Sequence, residues 1–190
     1  MEPCPEKFSY KATTTGKLRN DIRREAGRYR EPVYLEIGVD RAYTLLEVCS
    51  AFTACVGVEN DPERFELAAE NIERQGLQER VQLIEGTSSD IDCGEYHVVF
   101  IDAGHDYASV LADFEAVRER NTAPRFTVFF HDYGLVGAGV KKLVDQTFLE
   151  SSVRWAGEKE GWNPLGAPVN GCECAFVRLV GTRSRCATVI

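Results

Sequence analysis

The sequence predicts an α/β fold: a doubly wound, mostly parallel seven-stranded sheet finished by a C-terminal antiparallel hairpin. Three observations carry that expectation. From residue 33 onward, short apolar runs alternate with amphipathic stretches, the pattern of repeated strand-helix units around a parallel sheet. The connections between them are short. After residue 150 the pattern loosens into a stretch crowded with Gly157, Gly161, Pro164, Gly166, Pro168 and Gly171, before a last apolar run from Cys174 to Val180. A loop between two final strands accounts for that order.

Taken along the chain, residues 1–32 carry eight basic groups against five acidic ones, and read as a solvated amphipathic helix or as an anion-attracting flap. Strands are expected at Val33 to Ile37, Ala54 to Val58, Val81 to Ile84, His97 to Ile101 and Phe126 to Phe130. Between them, Phe65, Ala68, Ala69 and Ile72 recur at helical spacing, as do Tyr107, Val110, Leu111, Phe114 and Val117, and then Val140, Leu143, Val144 and Phe148. These stripes should face the core. Asp61-Pro62 marks a helix start with proline in the first helical position, and Gly76 stops that helix. The organisation is therefore one domain over 1–190: an N-terminal helical segment (1–32), a core (33–150) and a C-terminal hairpin (151–190).

Composition narrows the function. A chain of 190 residues with 44% hydrophobic and 10% aromatic content can bury a sizeable core. No segment approaches the ~18 consecutive apolar residues of a bilayer span, so no membrane role is expected. A net charge of -8 argues against a protein that works by gripping nucleic-acid phosphates. Seven cysteines, odd in number and scattered, behind a start without an apolar leader, point to reduced thiols in the cytoplasm. Cys172 and Cys174 lack a second pair to complete a zinc site, and packing explains them best.

In open α/β sheets ligands bind beyond the carboxyl ends of the strands. The first strand there runs into Glu36-Ile37-Gly38, where glycine allows a close backbone approach to a ligand. The second ends at Glu59, about 20 residues beyond Gly38, where a carboxylate can accept hydrogen bonds from ribose hydroxyls. Only one of the three glycines of a dinucleotide fingerprint is present, which disfavours NAD. The fourth strand leads into Asp102-Ala-Gly104-His105, so a carboxylate and an imidazole can converge on one reacting hydroxyl. The fifth ends in His131-Asp132-Tyr133.

This combination resembles the class I S-adenosylmethionine-dependent methyltransferases over residues 33 to about 150. The resemblance implies cofactor contacts at Glu36, Gly38, Glu59 and Asp102. It also implies adenine contacts at Ser88 and Asp90 in the segment Val81 to Asp90, where Thr87 replaces the acid often found. IDAGHDY, FFHDYG and GVKKLVDQ are together similar to the metal-dependent O-methyltransferases that include macrolide-sugar and cephalosporin-pathway members. That subgroup implies a divalent cation held by Asp102 and the pair His131-Asp132, with His105 as general base. His131 departs from a position that is usually acidic; Mg²⁺ accepts imidazole poorly, so Mn²⁺, Fe²⁺ or Zn²⁺ enters the choice.

The implied reaction is methyl transfer to a hydroxyl of a small molecule, with a sugar or vicinal diol first by resemblance. The basic N-terminal segment and the loop carrying Trp155 and Trp162 are candidate walls of the acceptor pocket. The competing readings are a metal-dependent hydrolase or nucleotide-binding enzyme using Asp102, His105 and Asp132, and a non-catalytic cofactor-binding module. A homo-oligomer is compatible with the sequence.

Overall fold

The computed structural model describes residues 14–162 and 166–181. Its strands are β1 (Val33–Ile37), β2 (Ala54–Glu59), β3 (Val81–Glu85), β4 (Val98–Ile101), β5 (Arg125–His131), β6 (Arg154–Ala156) and β7 (Cys174–Val180). Its α-helices are α1 (Gly16–Ala26), α2 (Tyr43–Val48), α3 (Pro62–Arg74), α4 (Tyr107–Arg120) and α5 (Val140–Thr147). One seven-stranded sheet runs in the order β3-β2-β1-β4-β5-β7-β6. The pairs from β3 to β5 are parallel, while β7 runs antiparallel to both β5 and β6. The expected doubly wound sheet with a terminal hairpin is the one that forms.

Central parallel strands are covered on both faces, which is why their sequences are continuous apolar runs. Because side chains alternate across a strand, Leu35, Ile37, Val99, Ile101, Val128 and Phe130 face a core completed by Val110, Phe114 and Val117 of α4 and Leu143 and Val144 of α5. Their neighbours Tyr34, Val98, Phe100 and Phe129 face the opposite core, completed by Leu18 and Ile22 of α1, Leu45 of α2, and Ala68 and Ile72 of α3.

Helix ends follow their local chemistry. Asp61 caps α3 by accepting from the backbone N–H of Glu63 and Arg64, with Pro62 in the first turn where no intrahelical donor is lost. Two details differ from the expected core stripes. Ala69 is exposed and Phe65 only half-buried, because α3 covers the outer strands β2 and β3 and buries a narrower face.

The N-terminal helix is not merely solvated. Thr15 caps α1, Leu18 and Ile22 are fully buried, and buried Glu25 takes two hydrogen bonds from Arg178 of β7, at 2.6 and 2.8 Å. Arg23 pairs with Glu47 and Arg24 with Asp21. None of the described basic side chains of residues 14–32 lines the ligand cleft, so over this stretch the flap does not form. The thiol expectation also needs correction: Cys49, Cys55, Cys172 and Cys174 are free, but Cys93 is disulfide-bonded. Among the described residues, no helix is long and apolar enough to cross a membrane.

Candidate active site

A cleft of about 930 Å³ opens at the carboxyl ends of β1, β2, β4 and β5. At the end of β1, Tyr34 and Glu36 project to the same side, and the tyrosine hydroxyl donates to the buried Glu36 carboxylate at 2.8 Å. Burial pushes the Glu36 carboxyl well up; the Tyr34 hydrogen bond opposes the shift and the charge of Asp102 adds to it. Gly38 follows with φ +84° and donates to the Val58 carbonyl at 2.9 Å. A Cβ there would lie 2.4 Å from the Asp102 carbonyl oxygen. The close approach that demands glycine is therefore to the chain leaving β4.

Asp40 and Ala42 are also left-handed, with φ 48° and 63°. Strained residues of this kind persist where their surroundings hold them. Here the Asp40 N–H donates to Glu59 Oε2 at 2.8 Å, while Asn60 and Asp61 donate to Oε1 at 3.1 and 3.0 Å. Three backbone donors hold the Glu59 carboxylate at the cleft wall and leave roughly one of its four lone-pair positions for a ligand hydroxyl.

The turn after β3 is tied to the same strand end, since Gly86 N–H donates to the Glu59 carbonyl at 2.8 Å. Thr87, Ser88 and Ser89 line the cleft. Asp90 does not: its carboxylate accepts from the Thr87 N–H at 2.8 Å and the Thr87 hydroxyl at 3.1 Å, closing a capping box. One oxygen of the acid expected to meet a ligand, Asp90 Oδ2, is engaged by its own turn.

The ends of β4 and β5 build the reactive corner. Donor atoms of Asp102, His105 and Asp132 lie within 4.8 Å of one another. His105 Nδ1 is 2.9 Å from Asp132 Oδ2, and the Gly139 N–H fixes the His105 carbonyl at 2.6 Å. That hydrogen bond to Asp132 raises the His105 pKa against the opposing effect of burial. Burial would also raise Asp132, but hydrogen bonds from His105 and His131 and their charges outweigh it and hold this carboxyl below its usual range.

His131 ends β5 beneath this corner, where its Nδ1 donates to Asp102 Oδ1 at 2.8 Å. Its Nε2 lies 3.5 Å from Glu173 Oε1, an ion-pair distance without hydrogen-bond geometry, and is the buried side-chain nitrogen left without a hydrogen bond among the described residues. Burial disfavours the imidazolium, yet the charge and hydrogen bond of Asp102, with the carboxylates of Asp132 and Glu173, raise its pKa well above the ordinary value. Glu173 in turn accepts from the N–H groups of Thr15 and Glu158, at 2.8 and 3.0 Å.

The structure thus gathers Glu36, Gly38, Glu59, Ser88, Asp102, His105, His131 and Asp132 around one cleft and leaves Asp90 out. Trp162 is a buried wall with its ring edge against His131, centroids 5.8 Å apart, whereas Trp155 is exposed on the edge strand against Tyr133. Sequence reasoning did not single out Tyr34, Asp113 or Glu173. Tyr34 sits inside the apolar run of β1 and Glu173 immediately before that of β7, so an acid flanked by core residues was the available signal.

Asp102 and Asp132 could hold a divalent ion through their carboxylate oxygens, while His105 Nδ1 is engaged by Asp132. The cleft carries six carboxyl side chains, Glu36, Asp40, Glu59, Asp102, Asp113 and Asp132, against the basic side chains Arg64, His105 and His131. It favours a cationic ligand.

A sheet in this order, with its cleft over the central strand ends and an acid closing β2, is the architecture of the class I methyltransferase fold. Residues 35–133 match the family model of a methyltransferase domain, and the chain belongs to that family. An O-methyltransferase of Aspergillus flavus, imqG, is 28% identical over 145 residues, which cover 70% of this chain and 56% of that protein. The chain thus spans little more than half of that relative's length. The O-methyltransferase from Bacillus cereus in complex with SAH superimposes with a TM-score of 0.63 at 18% identity, over 86% of this chain and 78% of that one. TomG from Streptomyces achromogenes, an O-methyltransferase involved in tomaymycin synthesis and solved in complex with SAM, gives 0.67 at 17% identity, over 93% and 84%. These likenesses establish the fold.

Proposed function

We propose that the protein is an S-adenosylmethionine-dependent O-methyltransferase acting on a hydroxyl of a small molecule, a sugar or vicinal diol, with help from a divalent cation. The observation that carries the reading is that the Glu59 wall and the Asp102-His105-Asp132 corner share one acidic cleft. The matched methyltransferase family and the names of the relatives support it. Glu59 would receive the ribose, Gly38 and Glu36 the amino-acid end of the cofactor, and the turn at Ser88 its base.

The chemistry asked of the chain is alignment and proton removal. The cofactor's sulfonium is already an activated electrophile. As the new O–CH₃ bond forms, the S–CH₃ bond breaks, its electron pair stays on sulfur, and the hydroxyl proton needs an acceptor. His105 is placed for that task. Asp132 holds its Nδ1–H, so Nε2 carries the basic lone pair, as in other acid-oriented imidazoles. Asp102 and Asp132 would hold a divalent cation, which would supply a lowered pKa to the acceptor hydroxyl. His131, anchored on Asp102, keeps that carboxylate's direction fixed.

The test is a calorimetric titration with S-adenosylhomocysteine, with NAD as control, in the presence of Mg²⁺ and then of Mn²⁺. Saturable binding of S-adenosylhomocysteine alone is the expected result. Absence of binding to folded protein would move the weight to a metal-dependent hydrolase or an inactive module.

A further inference from the structure

At the end of β1 a fully buried tyrosine hydroxyl meets a buried acid. Tyr34 and Glu36 lie two residues apart on one strand, so both side chains leave the same face of the sheet, and they are 0% and 2% exposed. The sheet neighbours of Glu36 are Gly57 on β2 and Phe100 on β4, and neither has a side-chain donor to give it. The Phe52 ring packs against Tyr34 with centroids 4.9 Å apart, which holds the phenol in place. Its hydroxyl donates to Glu36 Oε2 at 2.8 Å. Among the described residues Oε1 takes no hydrogen bond and the carboxyl forms no ion pair, yet Glu36 lines the cleft. A phenylalanine would pack in this core as well, so what the hydroxyl adds is its bond to the carboxyl.

We propose that Tyr34 is a positioning residue for cofactor binding: its hydroxyl holds Glu36 Oε2 so that Oε1 faces the cleft, where it accepts a hydrogen bond from the α-ammonium group of the cofactor's amino-acid end. The inference rests on the adenosyl-cofactor reading above and adds the group that sets the direction of the acid. With one oxygen tied, the carboxyl does not have to be ordered again when a ligand arrives, and that saving strengthens binding. A buried carboxyl without an ion pair lacks a counter-charge, and an ammonium brings one. The tyrosine donor also favours the ionised form, which is the form that accepts at both oxygens.

The experiment is a calorimetric comparison of S-adenosylhomocysteine with S-adenosyl-4-thiobutyrate, in which hydrogen replaces the α-amino group, on the wild-type chain and on Tyr34→Phe, with a thermal melt of each protein. The wild type should prefer the amino compound by at least about tenfold, the scale of a lost hydrogen bond to a charged group. Tyr34→Phe should weaken S-adenosylhomocysteine by about tenfold and leave the desamino compound within about twofold, so the preference collapses. A loss shared equally by both compounds, or by neither, in folded Tyr34→Phe overturns the proposal and leaves the tyrosine as core packing. A wild type that binds the two compounds alike overturns it too, while the cofactor reading stands. Should Tyr34→Phe not fold, Glu36→Asp keeps the charge but draws the carboxyl one methylene back from the Tyr34 hydroxyl. A preference reduced several-fold then supports the assignment, and an undiminished one sinks it. Failure of the wild type to bind either nucleoside is a separate result, and it overturns the cofactor reading on which the inference stands.

Discussion

His105 and Glu59 divide the work of the cleft between chemistry and binding, and substitutions should separate them. His105→Ala should abolish methyl transfer while leaving S-adenosylhomocysteine affinity nearly intact in calorimetry; normal turnover would remove it as base. Glu59→Ala should weaken that affinity by about 1.5–3 kcal/mol, the range for a hydrogen bond to a charged group, with Glu59→Gln as the milder control for the three backbone donors it must still receive. Gly38→Ala tests a different kind of residue. At φ +84° and with a Cβ 2.4 Å from the Asp102 carbonyl, alanine must push β1 from β4, so a loss of about 2 kcal/mol or more in denaturant unfolding is expected. A near-neutral result would mean the turn relaxes freely. Which acids reach the cleft was only partly legible beforehand. Glu59 and Asp102 end or follow strands, and strand ends fix where a side chain must be. Asp90 and Asp113 are decided by a three-residue turn and by which face of α4 meets it, and neither is written in a short motif.

At the scale of elements, periodicity located β1 to β5 and β7 within a residue or two, because buried parallel strands leave continuous apolar runs. The three-residue edge strand β6 left no such run; it exists because β7 offers it a partner, pairing Trp155 with Ala175. Helix α1 shows the same dependence on tertiary context. Its sequence is highly charged, and its place against the sheet is set by Leu18, Ile22 and the buried Glu25, which reaches Arg178 of β7 and Thr127 of β5. Burial opposes ionisation of Glu25, but hydrogen bonds from Arg178 and Thr127 and the nearby Arg178 and Arg28 charges lower its pKa below the usual value. A carboxyl lowered in the folded state contributes stability that is present above its unfolded pKa of about 4.3 and is lost as pH falls through the folded value. Glu25→Gln should therefore cost about 1–3 kcal/mol at neutral pH, the Arg178 end being half-exposed and screened. The difference from wild type should begin to shrink as pH falls below about 4.3 and disappear only below the lowered folded value, where Glu25 is neutral as well. Denaturant unfolding at the two pH values measures this, and a pH-independent difference would mean that packing, not charge, docks α1.

On the scale of the whole molecule, the excess of acids over bases is not spread evenly. Residues 1–32 are net basic, so the remainder carries more than the full charge of -8. Part of it is concentrated where β1, β2, β4 and β5 end, with Glu36, Asp40, Glu59, Asp102, Asp113 and Asp132 in one concave wall that also holds Arg64, His105 and His131. A concave surface of one sign focuses its field on the ligand. S-adenosylmethionine and S-adenosylhomocysteine differ by the methyl group and the sulfonium charge, so the ratio of their affinities reads that field directly. At low salt the sulfonium should be favoured over the neutral thioether. Raising ionic strength to about 1 M, where the Debye length is about 3 Å, should reduce the preference several-fold, since the cleft is open to solvent on one side. Titrations of both compounds at the two salt concentrations give the ratio. A salt-independent ratio would assign the discrimination to contacts inside the protein that ions cannot reach, chiefly Asp102 at the buried end of the cleft; no preference at either salt would mean that the His131 imidazole, 2.8 Å from Asp102, offsets the acids at the reacting atom.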